Sequence, residues 1–125
     1  MIKLTFALRR RPDLTREEFQ AYWRGTHADL VAARADVLKI RRYVQVHTST
    51  ELDGLHRAFQ ARNDDCGEPF DGVAELWFDS LDALGGDDEA VRAAQADLLA
   101  DERNFIDLAN SPMWMATEHE IVSLD

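Results

Sequence analysis

Residues 2–31, IKLTFALRRRPDLTREEFQAYWRGTHADLV, decide the fold class. Ile2, Leu4, Phe6 and Leu8 alternate with Lys3, Thr5, Ala7 and Arg9, the period of a half-buried strand. Pro12-Asp13 ends that run, and Thr15 with Glu18 forms a capping box that starts a helix, with Leu14 placed to staple onto Phe19. The helix is predicted to continue to about Arg34, with Gly25 loosening its middle. Phe19, Trp23, Leu30 and Val31 fall at helical spacing, and His27 lies among them. A surface helix keeps charge on its far side, so an ionisable group inside the apolar stripe calls for an explanation.

Working outward, residues 37–49 read as a second strand. Leu38, Ile40, Val44 and Val46 would point one way, and Lys39, Arg41, Tyr43, Gln45 and His47 the other. Thr48 to Phe70 is polar, broken at Asp53-Gly54 and Gly67-Glu68-Pro69, with a short helix expected over Leu55–Arg62. So long a connection in a compact domain is more often functional or mobile than inert. Asp71-Gly72 turns into a third strand, Val73–Phe78. A second long helix, capped by Asp87 or Asp88, would run to about Ala109, where Pro112 stops it. Met113–Val122 would be the last strand. On the second helix Ala94, Leu98, Phe105 and Leu108 make the stripe, and Asp101 falls within it.

The order is β-α-β, an insertion, then β-α-β. It predicts one α+β domain over residues 1–125 of the ferredoxin-like, split βαβ class, β-α-β-β-α-β, with an antiparallel sheet and both helices on one face. The other face would be apolar and uncovered, which favours a homodimer packed sheet to sheet about a two-fold axis.

Composition bounds the function. The net charge of −10 argues against nucleic acid, which demands a basic footprint. The first 50 residues hold 10 of the 14 basic and 5 of the 24 acidic side chains, either a solvated acidic face or complementarity across a self-association surface. Cys66 is alone, so no disulfide forms within the chain, as expected in a reducing cytoplasm. Arg9-Arg10-Arg11 follows the apolar run of the first strand, the reverse of a signal peptide's order, and no stretch approaches membrane-spanning length. A cytoplasmic protein with no membrane partner is expected.

Several blocks resemble the EthD-like family. They are Arg9–Glu18 with Phe19, Tyr22-Trp23 and His27-Ala28-Asp29-Leu30; Arg41–His47; Asp71–Phe78; and Ala100-Asp101-Glu102 with Phe105. The resemblance implies a dimeric α+β barrel of two ferredoxin-like protomers. Its members include fungal polyketide dehydratases or decarboxylases, a muconolactone methylisomerase and an accessory protein of an ether-degrading cytochrome P450 system. Broad oxidoreductase labels also attach to it.

His27 matches the family's characteristic histidine. By itself it also fits a core position satisfied by a backbone carbonyl. With Asp101 on the neighbouring helix it becomes a candidate general base or acid, the carboxylate fixing its tautomer. Asp101 could equally be a charge at the stripe's edge, and Glu102 reads as solvated. Tyr43, Gln45 and His47 share a strand face and would bind a carbonyl, phenol or lactone oxygen if that face meets the helices; the alternative is an edge strand facing water. Trp23 and Phe105 would line the same space, and Arg9 would hold a carboxylate or stay solvated. Asp64 and Asp65 beside Cys66 would raise a thiol's pKa, against a reactive role.

The four histidines, His27, His47, His56 and His119, show no metal-ligand spacing, so no metal is expected. No glycine-rich dinucleotide fingerprint occurs, and nothing demands an organic cofactor. The expectation is a cofactor-independent enzyme moving a proton on a small hydrophobic, aromatic, lactone or polyketide-like compound, as isomerase or dehydratase. The alternatives are an accessory binding protein of an oxidative pathway and a cofactor-free monooxygenase.

Overall fold

A computed structural model describes residues 1–86 and 88–125. Strand β1 is Ile2–Leu8. Helix α1 is Arg16–Tyr22, followed without a break by a π-helical turn, Trp23–His27, and by α2, Ala28–Leu38. Then come β2 (Arg42–His47), α3 (Asp53–Arg62), β3 (Gly72–Phe78), α4 (Glu89–Glu102) and β4 (Met113–Ala116). The strands lie in the order β2-β3-β1-β4, and each neighbouring pair is antiparallel. This is the ferredoxin-like split βαβ arrangement, with α3 inserted between its halves.

The capping box predicted at Thr15 is present: its hydroxyl accepts from the Glu18 backbone at 3.1 Å, and Glu18 accepts from the Thr15 backbone at 2.9 Å. Asp88 caps α4 by accepting from the Ala90 N–H at 2.8 Å. Asp87, the other candidate cap, lies outside the described residues. The core forms where Phe6 and Leu8 of β1 and Ala74 of β3 meet Phe19, Trp23, Phe105 and Ile106. No helix among the described residues is long and apolar enough to cross a membrane.

Element ends depart from the sequence reading for identifiable reasons. Residues 37–41 are not strand. Lys39, at φ 60°, closes α2 in the left-handed conformation, and the Ile40 N–H returns to the Ala35 carbonyl at 2.9 Å, a helix end made without glycine. Leu38 is therefore a buried helix residue rather than a partner of Val44 and Val46. Helix α4 stops at Glu102 because the chain beyond it pairs with the end of β1: Arg11 N–H donates to Phe105 and Asp107 N–H to Arg9. Strand β4 stops at Ala116, opposite Lys3, where β1 has almost no residues left to pair.

The sheet's outer face also differs from expectation. It is mixed rather than apolar: Ala7, Val44, Val46, Val73 and Trp114 share it with Thr5, a Lys3–Glu75 ion pair and Trp77, over which the Lys3 ammonium and Arg42 guanidinium lie.

Asp71, only 1% exposed, joins the strand ends to α1. Its carboxylate accepts from the Arg10 backbone at 2.7 Å, the Arg10 guanidinium at 2.6 Å and the Arg16 guanidinium at 2.9 Å. Burial raises the Asp71 pKa, but these donors outweigh it and hold the carboxyl below the ordinary carboxylate value. A depressed carboxyl contributes stability above its unfolded pKa and loses it as pH falls through the folded value. Asp71→Asn is expected to lose about 3 kcal/mol at pH 7 in urea denaturation. The deficit should shrink below about pH 4, and equal midpoints at pH 7 would refute the anchoring role.

Candidate active site in an apolar cavity

Between α2, α4 and the helix-facing side of the sheet lies a cavity of about 390 Å³. Its walls are largely aliphatic and aromatic, from β1 (Leu4, Phe6, Leu8), β3 (Leu76, Phe78) and α4 (Leu98, Leu99). Three ionisable groups reach it: His27, Tyr43 and Glu102. A few polar groups set in an apolar pocket are the usual composition of a small-molecule site.

The π turn places the histidine. An α-helix returns its N–H groups to carbonyls four residues back, whereas the Ala28 N–H here reaches the Trp23 carbonyl, five back. The same carbonyl accepts from the Gln45 side-chain amide at 2.9 Å. Gln45 also donates to the Tyr43 hydroxyl at 2.8 Å and pairs with His47 Nε2 at 2.8 Å, while His47 stacks on Trp23 with ring centroids 4.4 Å apart. Gln45 and His47 are thus built into the support of the turn and do not line the cavity. The strand face they share with Tyr43 meets the helices, but Tyr43 alone of the three reaches the open space.

His27 is 5% exposed and Asp101 8%. His27 Nδ1 lies 2.8 Å from Asp101 Oδ2. The other carboxylate oxygen accepts from the Tyr22 hydroxyl at 2.5 Å and from the Asn104 amide at 3.3 Å. Burial pushes the His27 pKa below its ordinary value, although the hydrogen bond and charge of Asp101 oppose that. Burial acts upward on Asp101, and its donors from Tyr22, His27 and Asn104 bring the net below the usual value. The neutral imidazole must then donate Nδ1–H to the carboxylate, which leaves a lone pair on Nε2. Among the described residues no buried side-chain nitrogen or oxygen lacks a partner, so Nε2, which has none, opens onto the cavity.

Glu102, read from sequence as solvated, is half-buried and lines the cavity. Desolvation, with a smaller push from the Asp101 charge, raises its pKa to about 7. The signal that could have found it was spacing: Gln95, Leu98, Leu99 and Glu102 fall on one face of α4, and all four line the cavity. The Tyr43 pKa is raised, chiefly by burial against the hydrogen bonds that lower it, so its hydroxyl stays protonated.

Trp23 lines the cavity as expected. Phe105 does not. It is fully buried behind His27, ring centroids 5.0 Å apart, and packs on Phe19 and Tyr22. Arg9 is also elsewhere: its guanidinium donates to the Pro69 and Glu68 carbonyls at 2.7 and 2.9 Å and covers Phe70. Cys66 is exposed in the turn after α3. Among the described residues, no three His, Cys, Asp or Glu side chains are grouped to hold a metal ion.

Solved structures share this architecture. A dimeric protein of unknown function with a ferredoxin-like fold from Bacteroides fragilis superposes with a TM-score of 0.54 at 15% identity, over 92% of this chain and 93% of its own. An ethyl tert-butyl ether d (EthD) family protein from Bacillus halodurans gives 0.58 at 16% identity, over 95% and 99%. At such identities the likeness concerns the fold alone. No curated protein matches the chain. The EthD domain model matches residues 11–109, a span that includes α1, the π turn with His27, and Asp101 and Glu102 at the end of α4. The chain belongs to the EthD domain family.

Proposed function

We propose that this protein binds a small apolar or aromatic compound in the cavity and, without an organic cofactor, moves a proton on it. The reading rests chiefly on the 2.8 Å contact between His27 and Asp101 at the wall of an otherwise greasy chamber. His27 Nε2 takes a proton from a carbon next to a carbonyl, and Asp101 orients the ring and stabilises the imidazolium that forms. Tyr43, whose oxygen already accepts from Gln45, keeps its own O–H to donate to the oxygen that gains charge. Returning the proton to another carbon gives isomerisation; losing a β-hydroxyl gives dehydration.

Deuterium wash-in from D₂O into 2-tetralone, a small ketone with an acidic C–H, tests the chemistry. The wild type is expected to exceed buffer, and His27→Gln to lose about 10²–10⁴-fold in rate while ketone affinity changes far less. Equal rates for the two proteins would reject proton transfer by His27. With ketone binding retained, that result supports an accessory binding protein instead.

The same reading includes a cytoplasmic homodimer in which two copies pack through their outer sheet faces. Val46 and Trp114 are each 47% exposed there, and the half-buried Val44 and Val73 continue the surface. The Lys3–Glu75 pair sits within it, so the interface would be mixed rather than purely apolar. Light scattering is expected to give about twice the 14.2 kDa of one chain. A monomer mass at micromolar concentration would rule the dimer out.

A further inference from the structure

Glu102 is not accounted for by the relay. Its carboxyl lines the cavity, where only burial and the Asp101 charge act on it and no hydrogen-bond donor among the described residues does. The groups facing it are few. Asp101 precedes it on α4 and Gln95 lies two turns earlier on the same helix, His27 comes from the π turn and Tyr43 from β2. From β1, β3 and α2 only apolar side chains enter, and no lysine or arginine is among the lining residues. A carboxylate there has no cation to compensate it, whereas a carboxylic acid has an O–H aimed at whatever fills the space.

We infer that Glu102 is a specificity-determining residue: as an acid it donates a hydrogen bond to an oxygen of the bound molecule, and it selects uncharged ketones, lactones and phenols over carboxylates. This rests on the reading that the cavity is the binding site. It does not depend on whether proton transfer occurs there. The near-neutral pKa of about 7 makes the selection pH-dependent. Above that value the donor is lost and a negative charge takes its place. From pH 6.5 to 8.5 Glu102 passes through its titration, while burial works against the charged form of His27.

The stability of the protein should carry the same signature. A carboxyl whose pKa is raised on folding contributes stability that is complete below its unfolded value and lost as pH rises through the folded one. Glu102→Gln should therefore melt higher than the wild type at pH 8.5 and equally at pH 4, which also shows that the variant folds.

Calorimetric titration with 2-acetonaphthone and 2-naphthoate, similar in size and differing in charge, decides the matter. For the wild type the ketone Kd is expected to weaken about tenfold from pH 6.5 to 8.5, the loss of one hydrogen bond. The naphthoate should bind more weakly at both values and lose more. In Glu102→Gln the ketone Kd should vary less than about twofold, since the amide donates at every pH. Leu98→Trp, which narrows the cavity from a half-buried position, should weaken both ligands. Ketone binding that Leu98→Trp weakens but pH does not, or a pH dependence that survives in Glu102→Gln, overturns the inference and leaves the cavity reading standing. Ketone binding that is absent, or indifferent to Leu98→Trp, overturns both.

Discussion

The Trp23 carbonyl oxygen is where the sheet takes hold of the helix above it, and the polar side of the cavity follows from that grip. It accepts two hydrogen bonds, one from the Ala28 N–H five residues on and one from the Gln45 amide on β2. In a regular α-helix a step of four residues overshoots a full turn by about 40°, so Trp23 and His27 would drift apart around the axis. The wider turn rotates His27 back from that position, and its ring meets Asp101 of α4. Such turns cost some helix regularity and concentrate at functional sites. Here the irregularity is fixed from below by a side chain with every polar atom engaged.

At the other end of the same bridge, two consecutive carboxyl groups have their pKa values pushed in opposite directions. Asp101 receives donors from Tyr22, His27 and Asn104 and stays ionised. Glu102, one residue on, receives none among the described residues and tends toward the acid. Burial raises the pKa of both, so it does not by itself set the direction of each shift. The number of hydrogen-bond donors does, and each charge state reinforces the other, because an ionised Asp101 makes a second charge beside it costlier. Environments that push neighbouring pKa values apart are how one site assembles a base and an acid from ordinary side chains.

The sequence made the architecture legible where periodicity and chain termination agreed. β1, the Thr15–Glu18 cap and the third strand satisfied both, and the pairing of His27 with Asp101 followed once two stripes were assigned to one sheet face. The errors lie where a local signal was missing or outcompeted. Lys39 closes α2 without a glycine, so the alternation of residues 37–41 imitated a strand. Residues 103–109 kept a helical pattern while their backbone groups found partners at Arg9 and Arg11. Glu102 escaped for a different reason: it lies four residues after Leu98 and three after Leu99, on the face that borders the cavity, but the apolar stripe was drawn through Asp101. Gln45 and His47 were placed on the correct face, but their hydrogen bond to each other and their contacts with Trp23, invisible in a spacing, make them supports of the turn instead of a binding surface.

The cavity itself has a structural cost that explains why these polar contacts are where they are. Helix α4 fully buries only Ala94 and Asp101, and Leu98 and Leu99 border open space instead of packing into the core. A helix deprived of apolar contacts is held weakly, because burial is the main source of helix stability in a domain. Its attachment passes to polar bonds: Asp101 to His27 and Tyr22 at the C-terminal end, and Asp97 to Arg34 at 3.0 Å. Removing the histidine would thus break its bond to Asp101 and loosen the helix that roofs the cavity. A ligand that fills the space restores the missing apolar contacts, so binding and the firm seating of α4 are coupled by the same surface.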